Sequence, residues 1–227
     1  MSDFLSYCAQ ITPLLLQGAL VTVELFACTL ILSLPLGLPI ALGEQSRILP
    51  IRWICQAYVF VFRGTPLMLQ LMFFYFLIPL LFGIGRDWDP FTVAVLAFVL
   101  NYAAYFAEIY RGGLNSIDKG QYEAAHSLGL SKARTMMGVI LPQTFRVVLP
   151  PISNESIVLV KDTALASVIS LNQPELMHVS EGLVNRSAGN VTPYLLAAVI
   201  YLIFTFLLTK LLRYFEKKYS SFAVKED

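Results

Sequence analysis

Two sets of polar side chains stand inside otherwise apolar stretches, and both have helical spacing. Glu155 and Asp162 are seven residues apart, and seven steps of about 100° return to the same helix face. Two carboxylates on one stripe can hold an ammonium or a guanidinium group. Asn101, Tyr105 and Glu108 follow at i, i+4 and i+7, again one face. If these two stripes face each other, they enclose a polar cavity the size of an amino acid. Ionisable groups at bilayer depth are costly, so they face water, a partner or a substrate.

Each side chain also has a plainer reading. Glu108 and Arg111 are three residues apart, so an intrahelical ion pair explains Glu108 at least as well as substrate contact. If the helix around Glu155 begins only at Pro151, Glu155 lies in its first turn and serves the helix N-terminus. Lys161 is placed to neutralise a carboxylate of a neighbouring span. Arg63 reads as an anchor reaching headgroups or a loop carboxylate. Glu24 has no evident local partner.

Other chemistries are missing from the sequence. The apolar stretches hold no nucleophile paired with a base and no metal motif. There is no G-x-x-x-x-G-K-[ST] phosphate loop, so this chain should not hydrolyse ATP itself, and no cofactor is called for. Cys8, Cys28 and Cys55 are scattered and odd in number, which fits apolar packing better than a disulfide framework. His126 and His178 have no second ligand at helical spacing. Nothing points to nucleic acid.

The elements that must position these groups are membrane helices. The chain has 227 residues, 57% hydrophobic and 14% charged, against roughly 45–50% and 25% for an ordinary soluble domain. No charged residue occurs from Leu25 to Gly43, Gly64 to Gly85, Phe91 to Ala107 or Ser187 to Thr209. Each run is close to the roughly 20 residues that a spanning helix needs. A fifth apolar region, about Phe145 to Ser170, is interrupted by Glu155, Lys161 and Asp162. The expectation is a single all-helical membrane domain with five spans, approximately 15–43, 64–83, 91–112, 145–170 and 193–213. Residues 50–62 are either an interfacial helix or a prefix to the second span. The first apolar run is too long for a signal peptide and lacks a basic flank. Prolines 35, 39, 66 and 79 and the Pro150-Pro151 pair imply either simple kinks or a bundle that opens a central cavity.

Basic residues orient the spans. One set of connections carries twelve: Arg47, Arg52, Arg111, Lys119, Lys132, Arg134, Arg146, Lys210, Arg213, Lys217, Lys218 and Lys225. The opposite set carries two, Arg86 and Arg186. The expectation is an outside N-terminus, a cytoplasmic C-terminus and a cytoplasmic loop at 113–144. Within that loop Ser116 to Leu130 reads as a helix capped by Ser116, with Ala124, Ala125 and Gly129 small enough for close approach to another backbone. Glu123 offers one charge to a basic partner or to the turn, and Leu141-Pro142 redirects the chain into the fourth span. A helix lying on lipid headgroups fits the same periodicity.

Glu123-Ala124-Ala125, Gly129, then Val139-Ile140-Leu141-Pro142 resembles the EAA loop of binding-protein-dependent ABC importer permeases, with Val139 where the family usually has Ile. Three more segments resemble the polar amino acid (histidine/glutamine-like) uptake permeases. These are Arg63-Gly64-Thr65-Pro66-Leu67; Asn101 through Tyr105, Glu108 and Arg111-Gly112-Gly113; and Asn154-Glu155 with Lys161-Asp162-Thr163-Ala164-Leu165. The resemblance implies a type I, MetI-like importer core in the bacterial inner membrane. Two permease subunits, alike or similar, would work with two cytoplasmic ATP-binding subunits and an external substrate-binding protein. It makes residues 116–130 the ATPase-coupling helix, with Glu123, Ala124, Ala125, Gly129, Leu141 and Pro142 as its signature. It also supports substrate contacts from the third and fourth spans, from which Asn101, Tyr105, Glu155, Asp162 and Thr163 are the candidates. The main rival is an ion-coupled secondary amino acid transporter, whose carboxylates would be ion sites and which needs no docking helix.

Overall fold

The computed structural model describes residues 2–85, 87–169, 171–187 and 189–220. Arg86, Ser170 and Lys225, used above for orientation or span limits, lie outside the described residues. Among the described residues the fold is helical, with no β-strand.

Helix α1 runs unbroken over Ser2–Glu44, through Pro13, Pro35 and Pro39. Its 43 residues extend roughly 64 Å at about 1.5 Å per residue, about twice the hydrocarbon thickness. The helix therefore begins well before the expected start at residue 15. Helix α2 (Leu49–Gly64) follows, with Pro50 in its first turn where a missing N–H costs nothing. At Thr65-Pro66 the chain turns by 106°. Thr65 is extended, at φ −121° and ψ 146°, the conformation that a following proline favours. Helix α3 (Leu67–Met72), a π turn (Phe73–Leu77) and α4 (Ile78–Phe82) complete this second arm.

Helix α5 (Pro90–Ser116) is capped by Asp89, which accepts from the Thr92 amide at 3.2 Å. It is the central helix, and Phe98, Tyr102 and Phe106 on it are at most 1% exposed. Its closest neighbour is α1. A Cβ at Gly37 would lie 2.9 Å from Phe106 Cβ and 3.0 Å from the Ala107 nitrogen, so only glycine permits that crossing. Two short helices, α6 (Lys119–Ser127) and α7 (Lys132–Thr135), and a π turn (Met136–Ile140) lead into α8 (Leu141–Asp162). Pro142 stands in the first turn of α8, as expected for a residue redirecting the chain. A 3₁₀ turn (Thr163–Val168) leads to α9 (Leu176–Arg186), which lies on α1 at Gly18, and α10 (Thr192–Ser220) closes the fold against α8 and α9.

Among the described residues three helices, α1, α5 and α10, are long and apolar enough to cross a membrane, and the bent α2–α4 pair makes up to four. Helix α8 is not among them; it carries Arg146, Glu155, Lys161 and Asp162. Its helical form thus rests on packing against α5 and α10 rather than on hydropathy.

Candidate substrate path and coupling element

The polar stripe of α5 meets the bend between α2 and α3. A 106° break leaves the last carbonyls of α2 without helical partners, and buried carbonyls need donors. Gln70 supplies them: its Nε2 donates to the carbonyl oxygens of Phe62 at 2.9 Å and Thr65 at 3.1 Å, and to Thr65 Oγ1 at 2.7 Å. Asn101 completes the lock, its Nδ2 donating to Phe62 O and to Gln70 Oε1, both at 3.0 Å. Asn101 is 3% exposed. Its donors are thus engaged by the chain's own backbone and by Gln70.

One turn on, the Arg63 guanidinium lies over the Tyr105 ring, 5.4 Å from its centroid. Arg63 and Tyr105 line an open cavity of about 430 Å³ with Gln56, Val59, Phe60 and Gly64. Glu108 pairs with Arg63 at 3.3 Å and also with Arg111. The i, i+3 ion pair is therefore present, and Arg63 anchors α2 to α5 through a carboxylate on the helix rather than in a loop.

Asp162 of α8 meets a different face of α5. Tyr102, one residue past Asn101, donates its hydroxyl to Asp162 Oδ2 at 2.7 Å. Asn101, Tyr105 and Glu108 thus face residues 62–70, and the direct meeting of the stripes is corrected for Asp162 alone, which reaches the neighbouring Tyr102 face. Tyr102 and Tyr105 are in tilted contact, with centroids 6.1 Å apart, and link the two regions. Among the described residues neither Glu155 nor Asp162 forms an ion pair. Lys161, next to Asp162, is exposed and lines an apolar cavity of about 580 Å³ against α10. Thr163 is fully buried, with its hydroxyl donating to Val160 O at 2.7 Å. Glu155 sits seven residues before Asp162 within α8, well past its first turn, so it does not serve the helix N-terminus. Tyr102 was missed in the sequence because it lies off the polar stripe, among apolar neighbours.

Glu24, which has no local sequence partner, lines a cavity of about 750 Å³ between α1 and α9 with Gln17, Asn172, Gln173, His178 and Arg186. In the same region Glu175, in the connection before α9, is fully buried. It caps α9 by accepting from the Met177 and His178 amides, both at 2.7 Å, and accepts from the Tyr201 hydroxyl at 3.3 Å. Burial pushes its carboxyl up to about 7, against the opposing pull of those two amides and the hydroxyl.

The coupling segment has a different build. Asp118, not Ser116, caps α6, accepting from the Gly120 amide at 2.6 Å. Ser116 instead ends α5, its hydroxyl donating to Gly113 O at 2.7 Å, because α5 runs through the expected helix start. At the other end the Leu130 amide bonds Ala125 O at 3.1 Å and the Gly129 amide bonds His126 O at 2.9 Å. Gly129 has φ +73°, the left-handed terminator that favours glycine. A Cβ there would meet nothing of this chain within 4 Å, so within the chain it is backbone conformation that calls for this glycine. Ala125 faces inward at 4% exposure, whereas Leu128 is 80% exposed, and Glu123, Ala124 and His126 are also exposed.

The described residues form a helical bundle with three to four candidate membrane spans and a short exposed helix, α6, between α5 and α8. Residues 33–221 match the family described as the binding-protein-dependent transport system inner membrane component, and the chain belongs to that family. Its ATP-hydrolysing subunit is accordingly a separate chain, and a substrate-binding protein works with it. The chain is 39% identical to the arginine transport system permease protein of Bacillus subtilis, over 96% of this chain and 98% of that one. It is likewise 39% identical to the L-cystine transport system permease protein of the same organism, over 94% and 89%. A crystal structure of an amino acid ABC transporter with histidines matches with TM-score 0.85 and 37% identity, over 95% of this chain and 98% of that one. The inward-facing MetNI methionine ABC transporter matches with TM-score 0.75 at 17% identity, over 92% and 98%, and shares the fold.

Proposed function

We propose that this chain is the membrane subunit of an ATP-driven importer for a polar amino acid, with the substrate's ammonium or cationic side chain received by Asp162 and Glu155. The observation that carries the site is a pair of carboxylates on one face of α8, inside the bundle, with no cationic partner within salt-bridge reach among the described residues. An unpaired charge at such a place is costly, and a passing cation relieves it. Tyr102 holds Asp162 in position. Tyr105, Asn101 and Thr163 complete the proposed lining, with Asn101 also locking the α2–α3 bend. The names of the relatives, arginine, cystine and histidine among them, support an amino acid as the cargo.

In this reading the chain crosses the bacterial inner membrane five times, with α8 and its 3₁₀ turn as the fourth span. The N-terminus is outside, and α6 is in the cytoplasm. Two permease subunits stand over two ATP-binding subunits, and α6 sits in a cleft of one of them. Closure of the ATPases moves α6 and switches the path between sides. The basic residues on the connections support this orientation. No relative favours ion coupling.

The test is uptake of radiolabelled arginine, glutamine, histidine and cystine by the complete transporter in liposomes. Vanadate should stop it, and ionophores should not. Asp162→Asn should cut uptake about tenfold with the protein still folded; unchanged uptake of all four probes removes Asp162 from the path.

A further inference from the structure

At the end of α1 a buried carboxylate is left without a partner. Glu44 is 7% exposed, and its Oε2 is buried with no hydrogen bond. It forms no ion pair, although two guanidinium groups stand in the same cluster. Stranding a carboxylate oxygen in this way is expensive, so its persistence calls for a partner that is absent in this arrangement.

The helix geometry identifies that partner. Gly37 of α1 lies on Phe106 and Ala107 of α5. Ala41, one turn further, belongs to a buried cluster with Ala104 and Ala107. One more turn on each helix brings Glu44 on α1 level with Glu108 and Arg111 on α5, since residues three and four apart share a face. The charged groups acting on Glu44 are Glu108 and Arg111 from α5 and Arg63 from α2. Glu108 holds both cations here, Arg63 at one oxygen and Arg111 at the other. Two carboxylates thus compete for two guanidinium groups, and one of the carboxylates has neither.

We infer that Glu44 is the second acceptor of Arg111: in the other conformation of the transport cycle Arg111 leaves Glu108 and pairs with Glu44. Arg111 is suited to this exchange. It precedes Gly112-Gly113 at the end of α5, immediately before the coupling segment, and its side chain is 39% exposed, so it can swing. Arg63 keeps Glu108 occupied when Arg111 departs, and no charge is left bare on α5. Glu44 is a positioning residue, and it joins α1 to the movement of α6. The inference rests on α6 being the coupling helix.

The experiment reads the distance between the two helices, first with Glu44 and Arg111 both present and then in Glu44→Gln. Spin labels are placed at the exposed positions by Gln45→Cys and Asn115→Cys, with Cys8, Cys28 and Cys55 replaced by alanine, in the complete transporter. The distance is measured nucleotide-free and vanadate-trapped. A change of a few ångström that disappears in Glu44→Gln, together with about tenfold lower uptake per ATP and an unchanged melting temperature, is the expected result. An unchanged distance in both states, or the same change in Glu44→Gln, overturns the exchange. Uptake and ATP turnover that survive Gly129→Val overturn the coupling role of α6, a separate failure from that of Glu44.

Discussion

The α6 segment and the α5–α8 contact are both polar interruptions of an apolar chain, yet they are built in opposite ways. Helix α6 is nine residues defined almost entirely by local rules: an aspartate cap at one end and a left-handed glycine at the other. Its outward face makes few contacts within the chain and is available to a partner. The contact between Tyr102 and Asp162 spans 60 residues of sequence and exists only because two helices pack. The first can be moved as a unit without disturbing the core, whereas the second reports on any change in how α5 and α8 sit together. A permease needs both, a handle and a site whose shape responds to it.

Breaking the handle should have the largest effect. Gly129→Val forces a branched side chain into φ +73°, where only glycine is at ease. Uptake should fall by more than a hundredfold, and partner-stimulated ATP turnover should collapse with it. Glu123→Ala, on the exposed face, should reduce both about tenfold while α6 stays helical by circular dichroism; normal values would mean that this face touches no partner.

Changes at the inner site should be smaller and of another kind. Tyr102→Phe removes one hydrogen bond to a charged group, worth about 1.5–3 kcal/mol, and should raise the KM for uptake roughly tenfold with little change in maximal rate. A drop in maximal rate alone would show that Tyr102 serves the conformational switch and not the substrate. Gln70→Leu sharpens the contrast from the structural side. It strands the Thr65 carbonyl and takes from Asn101 its Gln70 acceptor, at about 1–3 kcal/mol, and should lower the melting temperature by several degrees. An unchanged melting temperature would mean that water replaces the amide at the bend.

The smallest expected effect is a pH dependence at α9. Burial raises the Glu175 carboxyl to about 7 from an ordinary 4.5, so the folded protein holds that proton more tightly than the unfolded chain. The resulting stability is complete below about pH 4.5 and is lost as pH rises through about 7. Melting temperature should therefore decline by a few degrees across that window, and Glu175→Gln should flatten the decline.

The same contrast explains what could be read from the sequence. The apolar runs of α1, the α2–α4 pair, α5 and α10, the position of α6 and the placement of Pro142 follow from hydropathy and local rules, and so does the Glu108–Arg111 pair. The error at Ser116 was a local one, because Asp118 two residues on is the better cap and α5 had not yet ended. What stayed hidden was which helix each face meets. Periodicity puts Asn101, Tyr105 and Glu108 on one stripe, but nothing in it says that the stripe meets residues 62–70 and not α8. Gln70 and Tyr102 carry no pattern of their own, since their roles come from a bend and a packing contact. The continuity of α1 through three prolines likewise depends on neighbours that no local rule reveals.

The elbow at Thr65-Pro66 is fastened from both sides, by Gln70 within the second arm and by Asn101 on the central helix. Such a joint does not hinge. Whatever tilts α5 must carry α2 and α3 with it as one bracket, so the give that lets the bundle rock has to be sought at the bracket's outer ends, beyond Gly83 on one arm and before Leu49 on the other.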